Sequence, residues 1–163
     1  MSRFPDEIFD SVLCLDPLSC LAEESEREQA ISEVIRVANL GAMVALGVCG
    51  YLAVLRISTP LASDNLVDGG LERLQSTGNW HVRGVAHHFF RAVEIRELAE
   101  RHGLKTLLIA EGEGLSTRLP EATNAIAEDP EKWARWKQIV IGTSTDPAIV
   151  DLSEHMLCIG RKE

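Results

Sequence analysis

The sequence has no run of lysine or arginine, and its 16 basic residues are outnumbered by 25 acidic ones for a formal net charge of −9. A protein that grips nucleic acid neutralises phosphates with a basic face, and an anionic membrane surface asks for the same. Neither partner is expected. The four cysteines, Cys14, Cys20, Cys49 and Cys158, include no CxxC pair. Zinc sites need clustered ligands, so no metal is expected, and the thiols read as reduced residues of a cytoplasmic protein. No secretory leader is expected either, because Asp6, Glu7, Asp10 and Asp16 break up any apolar segment among the first twenty residues. The longest apolar stretch, residues 40–57, is interrupted by Gly41, Gly47, Gly50 and Arg56, and is better explained as a strand and a turn than as a membrane span.

What remains is the balance of a globular α/β chain. Hydrophobic residues make up 45% and charged residues 25% of 163, enough for one domain with a real core. Residues 9–15 (FDSVLCL) are a short apolar run stopped by Asp16-Pro17. Residues 19 or 23 to 39 read as a helix with Ala30, Ile31, Val34, Ile35 and Ala38 on one face; Glu24, Arg27, Glu28 and Glu33 lie away from it. Gly41 supplies its stop. Residues 42–49 (AMVALGVC) are apolar on both faces, as in a buried parallel strand. Strand, helix and strand form a right-handed βαβ unit.

Residues 50–86 read as an insertion over one edge of the sheet. It carries helical segments at 51–57 and 65–75, the latter with Leu66, Leu71 and Leu74 as its stripe, and a turn-rich stretch at 76–84. A helix at 92–102 follows, with Ile95, Leu98 and Ala99 on one face and Gly103 as its cap. Then come a strand at 104–110, a Gly112-Glu113-Gly114 loop, helices at 120–128 and 131–141 broken at Asp129-Pro130, a second break at Asp146-Pro147, and a last strand at 155–160 (HMLCIG). No repeat, low-complexity run or linker divides the chain, so residues 1–163 are taken as one domain.

Four local sequences resemble, in order, the C-terminal part of the Rossmann-like (class I) S-adenosylmethionine-dependent methyltransferases. FPDEIFDSVL at 4–13 resembles that family's approach to its fourth strand. EVIRVANLGA at 33–42 resembles its helix-to-fifth-strand junction, residues 90–103 its helix before the last strand pair, and 154–162 its closing strand. The resemblance implies a partial sheet of the fourth to seventh family strands, the last antiparallel and lying between 42–49 and 104–110, with flanking helices. It implies S-adenosylmethionine as cofactor. The family's glycine-rich cofactor turn and its ribose-binding acid would lie upstream of Met1, so this chain alone is expected to bind the cofactor weakly or not at all. GEG at 112–114 follows a late strand and does not replace that turn.

The resemblance also places the loop after residues 9–15 beside the methyl-transfer position. Asp16, Pro17 and Leu18 are then candidate cofactor contacts. Asp16 is also a candidate to orient or deprotonate the acceptor, against the reading that Pro17 ends the strand and Ser19 caps the helix. Ser19, Tyr51 and His81 are candidate acceptor contacts. His87 and His88 are candidate general bases because imidazole titrates near neutrality; surface or packing roles are the alternative. Trp80, Trp133 and Trp136 read as packing residues rather than a cage for a methylated amine.

The expected function is methyl transfer to a small-molecule acceptor, by a truncated chain or one half of a split enzyme. The alternative is a non-catalytic subunit that completes or regulates a methyltransferase partner. Residues 9–15 lack their family neighbour, and their uncharged, proline-free run invites self-association or a partner chain there.

Overall fold

The structure, a computed structural model, describes residues 3–61, 69–82 and 84–163. Four strands form one sheet: β1 (Phe9–Leu15), β2 (Ala38–Cys49), β5 (Leu104–Glu111) and β6 (His155–Lys162), in the order β1-β2-β6-β5. β1 and β2 are parallel, and β6 runs antiparallel to both β2 and β5. The sheet order expected from the sequence is the one observed. A separate two-stranded hairpin joins β3 (Asn79–Val82) to β4 (Val85–His88).

The helices are α1 (Glu24–Val37), α2 (Tyr51–Leu61), α3 (Gly70–Thr77), α4 (Ala92–Arg101), α5 (Pro120–Ala127), α6 (Pro130–Thr143) and α7 (Pro147–Leu152). Asp129 and Asp146 are more than helix breaks. Asp129 accepts from the backbone amides of Glu131 and Lys132 and Asp146 from that of Ala148, and each is followed by proline at the first helical position, the arrangement that starts a helix. The short helix α7 therefore stands where only a break was read. The start of the helix expected at 65–75, including Leu66, lies outside the described residues.

Strand β2 begins at Ala38, directly on the end of α1, rather than at residue 42. Gly41 does adopt a left-handed φ of 80°, but inside the strand. There the register with β1 shifts, from Phe9 opposite Ala38 to Ser11 opposite Met43. The glycine serves a bulge instead of a helix cap.

Directly paired residues share a sheet face, so rows can be read across the strands. Cys14, Leu46, Cys158 and Ile109 form one row and all are buried. With Ile31 and Ile35 of α1, Ile95 and Leu98 of α4 and Val150 of α7 they form the main core. The adjacent row, Leu13, Ala45, Ile159 and Leu108, faces the other way, and none of the four is buried. Leu13 is 70% exposed. Helices α5 and α6 contribute no buried residue, so they do not supply the missing layer.

Arg27 departs from the sequence reading. It is buried, and its guanidinium donates to the carbonyls of Leu21 and Ala22 at 2.8 and 2.7 Å. Paired this way, a cation can sit beneath the turn that enters α1.

The segment read as an insertion closes over the C-terminal ends of β1 and β2 rather than along an edge. Phe90 N donates to Cys49 O and Tyr51 N donates to Phe90 O, both at 2.8 Å. Asn79 Nδ2 reaches Ala22 O at 3.0 Å. Tyr51, Leu74 and Phe89 form a second, smaller core there. Among the described residues no helix is long and apolar enough to cross a membrane.

Candidate functional site

In open α/β sheets ligands collect beyond the carboxyl ends of the strands. Here that end is where β1 and β2 finish and antiparallel β6 begins, with Cys49 opposite His155. A cavity of about 290 Å³ opens at this point. Its lining includes the polar side chains of Asp16, His87 and His155 and the apolar ones of Val54, Ile57 and Phe89.

Asp16 leaves β1 in a left-handed conformation, φ 76°. Its amide donates to Gly47 O at 2.9 Å, its carbonyl accepts from Ser19 N at 3.0 Å, and its Oδ1 accepts from the Cys49 thiol at 3.2 Å. Arg118, also on the cavity wall, has φ 59° and donates through Nε to Glu154 Oε1 at 2.7 Å. Non-glycine residues with positive φ cost free energy, and they concentrate where geometry serves a site. Besides Glu7, these two are the only such residues in the described chain, and both line this cavity.

The turn after Asp16 is internally committed. Leu18 and Ser19 are fully buried. Leu18 belongs to the main core, and Ser19 Oγ accepts from Cys49 N at 2.8 Å. Neither side chain reaches the cavity; nor does that of Pro17, which begins a short 3₁₀ turn. Burial, and then the Asp16 carboxylate, push the Cys49 thiol up to about 12, so it stands protonated as a donor to Asp16.

The neighbours His87 and His88 are separated by strand alternation. His87 lines the cavity and stacks on Phe89 at 6.2 Å. His88 is 2% exposed. Its Nδ1 meets Asn79 Oδ1 at 2.7 Å and its Nε2 meets Glu94 Oε1 at 2.5 Å. Donation from Asn79 Nδ2 to Ala22 O fixes the amide's orientation. His88 thus ties the hairpin to α4, and it borders a different, larger cavity of about 520 Å³. Tyr51 is buried beneath the guanidinium of Arg91, 4.3 Å above its ring. His81 is exposed and lies beside Arg73 and Trp80, outside the Asp16 cavity. The tryptophans do not converge: Trp80 packs in the second core, Trp136 donates to Ser116 Oγ at 2.9 Å, and Trp133 carries Lys137 over its ring.

Of the sequence candidates, then, Asp16 and His87 meet in one cavity. Residues not singled out join them: Cys49, Arg118, Glu154 and His155. His155 Nδ1 pairs with Glu113 Oε1, and Arg118 and Arg56 bracket Glu154. Among the described residues no group of three or more His, Cys, Asp or Glu is placed to hold a metal ion.

No protein-family model matches the chain, and no curated protein matches it. Solved structures do match its fold. An S-adenosylmethionine-dependent methyltransferase from Methanosarcina mazei superposes with a TM-score of 0.63 at 19% identity, over 99% of this chain and 63% of the other. A Thermotoga maritima methyltransferase, described as a possible histamine N-methyltransferase, gives 0.53 at 13% identity, over 100% and 60%. One from Mesorhizobium loti gives 0.53 at 14%, over 99% and 65%. The fold is therefore that of the Rossmann-like methyltransferases, and the chain spans under two thirds of the length of these three structures.

Proposed function

We propose that this chain is the acceptor-side part of an S-adenosylmethionine-dependent methyltransferase, that its strands correspond to the fourth to seventh of that fold, and that the cofactor cradle comes from a polypeptide segment docked on β1. The observation that carries the reading is the cavity at the carboxyl ends of β1 and β2, with Asp16 held in a strained turn at its rim.

The described residues do not fit the whole cofactor. Cradling it takes free backbone amides where a strand turns into a helix. The turn from β2 into α2 runs through Gly50, where a Cβ would lie 2.1 Å from Ser153 O. Its amides are already spent: Gly50 N donates to Glu154 O at 2.9 Å, and Tyr51 N to Phe90 O at 2.8 Å. S-Adenosylmethionine supplies an electrophilic methyl group on a sulfonium. This chain supplies what surrounds an acceptor. The Asp16 carboxylate orients a hydroxyl or amine and favours nearby positive charge. Val54, Ile57 and Phe89 keep water from an apolar body. The acceptor is a small molecule, and the protein acts in the cytoplasm.

Support for a docked segment comes from β1 itself. It is an edge strand, uncharged from Ser11 to Leu15, and no residue of the row containing Leu13 is buried. A parallel strand with a helix would satisfy both edge and face.

The test uses the complex recovered from cells on a tagged copy of this chain. It should bind S-adenosylmethionine and transfer a labelled methyl group to a small-molecule fraction. Asp16→Asn should reduce transfer at least tenfold. Equal transfer by Asp16→Asn would favour the other reading, a non-catalytic subunit. A complex that binds no cofactor would overturn both.

A further inference from the structure

The carboxylate of Glu113 holds His155 at two points. One oxygen pairs with ring Nδ1, and the other accepts from the backbone N–H of His155 at 3.2 Å. The backbone on both sides is fastened as well. Ser153 Oγ donates to His155 O at 2.6 Å, and Gly112 N donates to the same carbonyl at 2.8 Å. The loop bearing Glu113 and the first residue of β6 are thus one unit.

A carboxylate that accepts from Nδ1–H fixes the tautomer of a neutral imidazole and leaves the lone pair on Nε2. Among the described residues Nε2 of His155 has no partner, and the side chain is 54% exposed where it lines the Asp16 cavity. This is the geometry of a proton acceptor: a ring oriented by a carboxylate, with its free nitrogen on the wall of a cavity. His88, with both ring nitrogens bonded, lacks that capacity.

The rest of the cavity limits what such a base would serve. Besides Asp16 and His87, its lining includes Val54, Ile57 and Phe89. Arg118 is drawn off by Glu154, so among the described residues that line the cavity no cation is left for an anionic ligand. We infer that the cavity takes a small, mainly apolar molecule bearing a protonated oxygen or nitrogen nucleophile, and that His155 Nε2 accepts its proton while Glu113 positions the ring. The ligand's O–H or N–H bond breaks, its electron pair stays on the ligand as a lone pair, and the proton forms an N–H bond at Nε2. From there it passes to water. This rests on reading the cavity as the methyl-acceptor site, but it concerns only residues of this chain.

The test needs no methyl donor. The purified chain, labelled with ¹⁵N at histidine and studied at alkaline pH, reports the tautomer of each ring by NMR. His155, assigned with His155→Gln, should show the Nδ1–H form. Glu113→Ala should lose that bias with the spectrum otherwise intact, and Glu113→Asp should restore part of it. Added p-cresol, the hydroxyl probe, or benzylamine, the amine probe, should shift His155 and His87 saturably while His81 and His88 stay still. His155→Gln should weaken probe binding at least fivefold. Whichever probe binds names the acceptor class. An Nε2–H tautomer at His155, or no shift with either probe, would overturn the inference. Such a failure leaves the cofactor reading standing, and loss of methyl transfer in the complex leaves this result standing.

Discussion

Ser19 Oγ accepts a hydrogen bond from the backbone N–H of Cys49 at 2.8 Å, tying the turn after β1 to the end of β2. Ser19 is fully buried, so no water can replace the hydroxyl without a shift of backbone. Ser19→Ala leaves a buried donor unsatisfied and should cost about 1–3 kcal/mol of stability, read by urea denaturation. A cost near zero would show that the turn relaxes and that Asp16 is not held by this bond.

Thiol reactivity follows from burial. Cys14 is raised by desolvation, Cys158 is pushed up to about 11, chiefly by burial, and Cys49 up to about 12. The thiolate is the reactive form, and Cys20 is the one exposed cysteine. Iodoacetamide at neutral pH should modify Cys20 in the native chain and spare the other three. Mass spectrometry showing Cys49 labelled as fast as Cys20 would contradict the placement of its thiol against Asp16.

Glu111, at the end of β5, is buried, and its Oε2 has no hydrogen-bond partner among the described residues. Burial first, and then Glu113, raise its carboxyl above the usual range. A raised carboxyl binds more protons in the folded state than in the unfolded one. It therefore costs stability as pH rises from the ordinary value of 4.5 through the folded value, and the cost is absent below 4.5. Glu111→Gln should raise the melting temperature at pH 7 (about neutrality), with the gain shrinking on acidification. An equal gain at all pH values would mean that charge is not the cause.

Much of this was legible from periodicity. The apolar runs at 9–15 and 42–49 and the 3.6-residue stripes of α1 and α4 marked the parallel strand pair and its covering helices, because burial on one face imposes those patterns; the order of the sheet and its antiparallel last strand came from the resemblance. The hairpin β3–β4 was not legible. Its strands are four residues each, too short for alternation to show. Arg27 looked solvent-facing because its partners are backbone carbonyls, which leave no mark in a side-chain pattern. Asp16 came from the resemblance, which puts the loop after residues 9–15 beside the methyl-transfer position. Glu113 and His155 lie 42 residues apart and meet only because β6 runs antiparallel. With that direction known, the first residue of β6 must land beside Cys49 and the end of β5.

The edge of β1 can be examined in the isolated chain. Leu13 is 70% exposed and Leu15 57% exposed, and an uncharged edge invites strand addition. Size-exclusion chromatography with light scattering should show association of the purified chain that Leu13→Lys weakens at least tenfold. Because Leu13 is already largely in solvent, the change should move the melting temperature little. A monomer at all concentrations would remove self-association and leave a distinct partner as the occupant.

The central claim is that this chain holds the acceptor side of a methyl-transfer site and borrows its cofactor cradle through β1. Equilibrium binding of radiolabelled S-adenosylmethionine tests it most directly, on the purified chain, on the complex recovered with it, and on material recovered with Leu13→Lys. The expected result is saturable binding by the complex, with at least a tenfold loss for the isolated chain and for the Leu13→Lys material. Binding by the purified chain alone as tight as that of the complex would contradict it, because the described residues would then hold the cofactor without a docked segment.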